Sequence, residues 1–385
     1  IFECLTVRVS RVFMKNKKFY IFAKFVLASF VMLGIEGANR QSNEVIEPTC
    51  APLCFAGPFL DCEEGYDITA GALYEQIIAQ AGEVASTTDR AQTSYPANAV
   101  AIQQPANYGW GFLVGVGYSK LIDNWRAFFQ YYNLTIINNA SYGSAYGQQY
   151  LSSAYWNQWV ENLSPLSSFG FANLDVGNKT TINDMDFMLQ RPTLLTPDLE
   201  MTTSYGINFT TLVRRQVAVL SNDNSNPVPI FGTAQGAFFQ NYQKITWYGV
   251  GPMVALHSVW KYWKTIGIFG DFEAALQYGL SDCRTSSFAK RNLATQTTSP
   301  VIFNAVEAVL QNRAFQFSPM VSGQLGAYWS DTFKEDAIAL TFEIAYDTAA
   351  YLNVMKVLTP DIAYRTENGA GIVRQGLMLS GSIDF

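Results

Sequence analysis

The stretch Gly376-Leu377-Met378-Leu379-Ser380-Gly381-Ser382-Ile383-Asp384-Phe385 decides the fold class. Leu377, Leu379, Ile383 and Phe385 fall on one parity and Met378, Ser380, Ser382 and Asp384 on the other, the period of a strand with one apolar and one polar face. A terminal aromatic stands on the apolar side. Working back along the chain, the same alternation sets Ile338, Leu340, Phe342, Ile344 and Tyr346 against Ala339, Thr341, Glu343 and Asp347. It sets Phe315, Phe317, Val321, Leu325 and Trp329 against Gln316, Ser318, Ser322 and Gln324, and Ile266, Ile268, Phe272, Leu276 and Tyr278 against Asp271, Glu273 and Gln277. Earlier candidates are Tyr248 to His257, Leu199 to Phe209, Asp184 to Gln190, Trp125 to Tyr132, Trp110 to Tyr118 and Tyr66 to Tyr74, which makes about ten strands.

The links alternate in length. Short turns are expected around Asp123, Pro192, Tyr262 and Thr332, and long connections over roughly 79–106, 140–181, 219–242, 282–312 and 353–374. A barrel with short periplasmic turns and long outer loops has that phase. A secreted soluble sandwich would also alternate, but these strands reach the roughly 9 to 11 residues that cross a bilayer at a tilt. Aromatics gather near their ends (Trp110, Tyr118, Trp125, Tyr248, Trp260, Tyr278 and Trp329), as membrane interfaces favour. The expectation is an all-β, transmembrane, antiparallel up-and-down β-barrel over residues 66–385. Residues 73–86 carry a weaker helical alternative.

The composition fits such a wall. Charged residues make up 15% of the 385, against roughly 25% in soluble domains, and aromatics another 15%. The balance of 25 basic to 31 acidic side chains leaves no footprint for nucleic acid. The start of translation reads as Met14, with residues 1–13 as upstream artefact. Lys15, Lys17 and Lys18 before an apolar run to about Ile35 make residues 14–38 a predicted signal peptide. Residues 39–65 form a periplasmic segment carrying Cys50, Cys54 and Cys62, whose thiols meet an oxidising compartment. Their spacing matches no zinc pattern. A disulfide within the cluster and linkage to neighbouring envelope proteins both remain open. Cys283 is expected at the start of an outer loop, across the membrane from that cluster.

The segments Gly109-Trp110-Gly111-Phe112 through Tyr118, Asp123-Asn124-Trp125, Trp247-Tyr248-Gly249-Val250-Gly251-Pro252, Phe269-Gly270-Asp271, Gln277-Tyr278-Gly279 and Gln375 to Phe385 resemble, in order, the Legionella-type pore-forming outer-membrane proteins, a group that includes chlamydial-relative major outer-membrane-like porins. The resemblance covers about 66–385. It implies a porin in the outer membrane of a Gram-negative-type bacterium, passing small hydrophilic solutes or ions passively, with no enzymatic activity and no cofactor. Expected partners are outer-membrane lipids, the barrel assembly machinery reading Phe385, disulfide-linked envelope proteins, and a second copy of the chain. A structural or adhesive protein anchored by its barrel is the alternative.

Inward parity gathers Asp67, Glu75, Asp184, Asp186, Glu200, Asp271, Glu273, Glu343, Asp347 and Asp384, with Arg126 as the basic counterpart within a strand. Acidic rings favour cations; a narrow barrel can instead fill its interior with hydrogen-bonded side chains. Arg214, Arg215, Lys244, Arg313 and Arg374, expected near the mouths, would neutralise part of the charge. The pairs Asp184/Asp186 and Asp271/Glu273 are better lumen lining than glycosidase acids, which usually come from different elements. His257, the one histidine, faces inward and excludes a His-rich metal site or a triad not built on it. Gly115-x-Gly117 and Gly369-x-Gly371 lack the third glycine and following helix of a nucleotide loop. The acceptor-like asparagines Asn133, Asn139, Asn162, Asn178 and Asn208 read as chance. The loop at 140–181, rich in Tyr146, Tyr150, Tyr155, Trp156 and Trp159, is long enough to be functional.

Overall fold

The structure, a computed structural model, describes residues 65–80, 83–88, 100–119, 125–143, 150–153, 173–196, 198–221, 238–263, 265–293, 301–333, 338–360 and 365–385. The expectations for residues 1–13, the signal peptide, Cys50, Cys54, Cys62, the Asp123 turn, Tyr146, Tyr155, Trp156, Trp159 and Asn162 lie outside them. The elements are β1 (Gly65–Ala79), β2 (Glu83–Thr88), β3 (Val100–Gln103), β4 (Tyr108–Ser119), β5 (Arg126–Gly143), β6 (Tyr150–Ser153), β7 (Asn173–Thr196), β8 (Leu199–Ser221), β9 (Phe238–Lys261), β10 (Ile266–Leu293), β11 (Val301–Phe333), β12 (Ile338–Pro360) and β13 (Arg365–Asp384). No helix occurs among the described residues.

Ten of these strands close a barrel in the order β1-β13-β12-β11-β10-β9-β8-β7-β5-β4, with β4 returning to β1. Every barrel pairing is antiparallel, and closure leaves no edge of unpaired N–H and C=O groups to face hydrocarbon. The seam joins the first barrel strand to the last: Tyr66 and Phe385 exchange two backbone hydrogen bonds, of 2.8 and 2.9 Å. Outward residues such as Trp110, Ile207, Phe272, Leu325, Phe342 and Leu379 are exposed, and their neighbours of opposite parity point into the lumen.

The strands run further than alternation alone indicates. Pro192 sits inside β7 opposite Thr202, and the chain turns only between Thr196 and Leu199; Thr332 likewise belongs to β11, opposite Ala339. Much of each expected outer loop is ladder. β10 and β11 pair from Ile266–Trp329 up to Leu293–Val301, well past the roughly 9 to 11 residues a bilayer requires. Alternation does not reveal these extensions, because polar and apolar residues fall on both parities of 280–293 and 301–314. Residues 73–79 are strand, not helix.

The remaining elements form a small sheet in the order β3-β2-β6. Val84, Ala85 and Leu151 from it pack on the inward residues Leu174, Val176, Ala218 and Leu220 of β7 and β8, so the sheet covers that side of the outer opening. Gln104, just after β3, accepts a hydrogen bond from the Arg214 guanidinium.

Candidate functional site

The lumen divides into two zones. At the end of the short turns lies a chamber of about 610 Å³, lined by Glu200, Asp271, Glu273, Glu343 and Asp384 together with Arg126, His257 and Lys261. Each side chain is delivered by the inward parity of its strand. Asp67 accepts from the Arg126 Nε at 2.9 Å, and Gly117 faces that carboxylate, where a Cβ would overlap Oδ1. A residue larger than glycine there would expel Asp67. His257 Nδ1 meets Asp271; Ser322 donates to Glu273 at 2.8 Å and Ser380 to Glu343 at 2.7 Å.

Farther in, a continuous hydrogen-bonded septum crosses the barrel. Arg374 of β13 ion-pairs with Asp347 and, at 3.3 Å, with Glu75, while its guanidinium carbon sits 4.0 Å from the centre of the Tyr132 ring. Tyr132 donates to Glu75 at 2.5 Å, and Arg374 Nε reaches the Tyr351 oxygen at 3.4 Å. Tyr351 then donates to Asp184 at 2.7 Å, joining β12 to β7, which lie five positions apart in the ten-strand ring and hence face each other. From there Asn208 bridges Asp184 and Asp186 at 2.7 and 2.6 Å, Thr210 donates to Asp184 at 2.7 Å, and Gln277 contacts Asn208 and Thr210. Trp247 donates to Gln277 at 3.1 Å, and its indole lies over Gly249, where a Cβ would approach ring atoms to 2.6 Å.

Inward parity brings the Tyr351 side chain into the lumen, and β12 becomes irregular just beyond it. The register slips between Tyr351 and Met355, and Asn353 has φ 56°, a left-handed conformation that asparagine tolerates better than most residues. Neighbouring strands hold this bulge: Asn353 donates to the Phe317 carbonyl at 2.9 Å, Ser318 to that of Leu352 at 2.7 Å, and Ser281 to that of Val354 at 3.3 Å.

The lumen-facing residues read from the sequence thus separate. Asp67, Arg126, Glu200, Asp271, Glu273 and Glu343 surround the chamber, and Glu75, Asp184, Asp186 and Asp347 belong to the septum. Several expectations are corrected. Arg215, Lys244 and Arg313, expected to offset the lumen charge, have outward parity and face away from it. Arg214 and Arg374 do not stand at the mouths but lie 1% and 5% exposed inside the barrel, because their parity in β8 and β13 points inward. Cys283 begins no loop; it is buried in the wall of β10, where the continued ladder carries its side chain inward. Alternation failed to single out Tyr132, Trp247 and Tyr351, although each has inward parity. A large aromatic on a polar face was the available signal. Among the described residues no cluster of metal-ligating side chains occurs.

Comparisons place this architecture. No curated protein matches the chain. Among solved structures, the outer-membrane protease OmpT of Escherichia coli is 11% identical, over 84% of this chain and 96% of its own, with a TM-score of 0.36. A major outer membrane protein from Thermus thermophilus is 11% identical over 84% and 100%, at 0.29, and the Pseudomonas putida toluene transporter TodX is 9% identical over 85% and 91%, at 0.27. At such scores these barrels bear on no residue or activity of this chain. The family model described as Legionella pneumophila major outer membrane protein precursor matches residues 60–385. With a closed antiparallel barrel over the same residues, the chain belongs to that family of outer-membrane β-barrel proteins.

Proposed function

We propose that the barrel is a porin-like channel of small bore for ions and small hydrophilic solutes, cation-preferring at its periplasmic chamber, and without catalytic chemistry. The observation that carries this reading is the chemistry of the septum. A plug with only a structural duty is better made of hydrocarbon, since replacing a buried ion pair by apolar side chains of similar volume is often neutral or stabilising. Here the barrier is instead Arg374, Glu75, Asp347, Asp184, Asn208 and Gln277, groups that can exchange their hydrogen bonds with water or a passing ion. Six chamber carboxylates, Asp331 among them, against Arg126, Lys261 and His257 favour cations at that mouth.

Single-channel conductance of the refolded chain in planar bilayers tests this. The expected record is discrete, small openings with a cation-biased reversal potential under a salt gradient, and several-fold larger openings in Tyr351→Ala, which removes the bridge between β12 and β7. A folded barrel that stays silent both as wild type and as Tyr351→Ala would overturn the channel. The second reading, a barrel serving as an envelope anchor, draws on the completeness of the closure: Tyr351 and Trp247 are both 0% exposed.

A further inference from the structure

The outer surface carries a feature that a channel does not require. Odd-numbered residues of β7 and β8 and even-numbered residues of β9 and β10 face away from the lumen, as exposed Phe187, Ile207, Tyr248 and Tyr278 establish. On that surface the register sets Lys179 opposite Arg215, Arg215 opposite Lys244, and Lys244 opposite Arg284. Four cations therefore form one row across four adjacent strands, spaced about 4.8 Å from strand to strand. Arg313 of β11 stands beside them, opposite Asp282.

Like charges directly opposite each other in an antiparallel ladder repel, and this row contains three such pairs in succession. Protein groups offset little of it. Among the described residues Asp282 lies 3.6 Å from Arg284 and 3.1 Å from Arg313, but no carboxylate ion-pairs with Lys179, Arg215 or Lys244. The height of the row supplies the complement. On β9 the outward sequence descends from Lys244 through Thr246 to the exposed Tyr248, then through apolar Val250, Pro252, Val254 and Leu256 to Trp260. Aromatics at both ends of an apolar band mark the bilayer interfaces. Lys244 stands about 13 Å farther along the strand than Tyr248, at a rise of about 3.3 Å per residue, which is headgroup level on the side away from the short turns. Among the described residues the opposite wall differs: at the same end of the apolar band β1, β4 and β13 present Gln76, Ile78, Tyr108, Trp110, Val373 and Gln375 outward.

We propose that the row Lys179, Arg215, Lys244 and Arg284 is a binding site for the phosphate groups of an outer-leaflet lipid, a phosphorylated glycolipid of the lipid A type. Arg215 and Arg284 can each grip a phosphate with two parallel N–H donors. Lys179 and Lys244 contribute point charges on flexible stems.

The test uses the full chain folded into phosphatidylcholine vesicles containing a minor fraction of lipid A, with lipid retained on the purified barrel counted by native mass spectrometry. Wild type is expected to retain lipid A and not its dephosphorylated form. Lys179→Gln/Arg215→Gln/Lys244→Gln should weaken retention roughly a hundredfold, as three surface cations imply. The charge-conserving Lys179→Arg/Arg215→Lys/Lys244→Arg should keep it. Equal retention by the neutralised variant, or equal binding of dephosphorylated lipid, overturns the proposal. Displacement of lipid A by inorganic phosphate at matched concentration overturns the lipid as the source of the phosphate. If the neutralised variant does not fold, the salt dependence of wild-type retention decides: a fall with rising ionic strength supports the site, and indifference to salt removes it.

Discussion

The chamber and the septum are lined by the same residue classes, carboxylates, one or two cations and hydroxyls, yet they are different media. In the chamber the acids with a side-chain partner have a single one: Asp67 with Arg126, Glu273 with Ser322, Glu343 with Ser380. In the septum the acids share partners, and Arg374 alone touches Glu75, Asp347, Tyr132 and Tyr351. What separates the zones is the size of the neighbouring inward residues. Tyr132, Trp247 and Tyr351 fill the lumen, where the chamber leaves a volume of about 610 Å³. A charge in the chamber acts on whatever passes, and a charge in the septum acts first on the fold.

The largest separation between the zones should come from Arg374→Met. It strands Glu75 and Asp347 in a site where both are almost wholly buried, and breaking such a pair costs about 3–5 kcal/mol. The expected outcome is a matching loss in the urea midpoint for the folded, heat-modifiable form; a loss below about 1 kcal/mol, the range of exposed ion pairs, would mean that water already reaches the septum. Next comes Gly249→Val, which drives a side chain into the Trp247 indole and should destabilise by about 1–3 kcal/mol as overpacking. Its companion reading is conductance, which should change because Trp247 must move. In the chamber, Glu200→Gln with Glu343→Gln should leave stability within about 1 kcal/mol, since open space hydrates the amides, while the reversal potential shifts towards neutral selectivity. An unchanged reversal potential would remove the chamber from the permeation path.

The smallest effect belongs to Asp282, beyond the apolar band beside the cation row of Lys244 and Arg284. Partial burial works against its carboxylate, but hydrogen bonds from Gln311 and Arg313 and the charges of Arg313 and Arg284 outweigh it and hold its pKa below the ordinary aspartate value. A depressed folded-state pKa adds stability that is present above the unfolded value and is lost as pH falls through the folded one. Asp282→Asn should therefore cost below about 1 kcal/mol at neutral pH and nothing in strong acid, read from unfolding midpoints across that range.

Most of the barrel was legible because its signal is local. The parity of Leu377, Leu379 and Ile383 against Ser380 and Ser382 needs no knowledge of any other strand, and the same parity assigned Asp67, Asp184 and Glu343 to the inside. The upper halves of β10 and β11 escaped, because over residues 280–293 and 301–314 the two parities no longer differ in polarity and alternation fades. The division of the inward acids into chamber and septum escaped for a different reason. It depends on which residues meet across the lumen, such as Tyr351 with Asp184, and on a bulge at Asn353 that no period records.

The seam between Tyr66 and Phe385 has a consequence for the order of events during biogenesis. The first strand of the ring hydrogen-bonds to the last, from Asp67–Asp384 to Ala79–Ile372. Every other neighbour in the ring can pair as soon as its hairpin or the next strand is present, but this contact spans almost the whole barrel sequence, and such a long loop is entropically the last to close. Until the final residues arrive, β1 and the growing end are two open edges. The chain must therefore be kept from pairing with itself wrongly, or with other copies, for the entire time of its delivery, and a truncation of a few C-terminal residues would prolong that exposed state indefinitely.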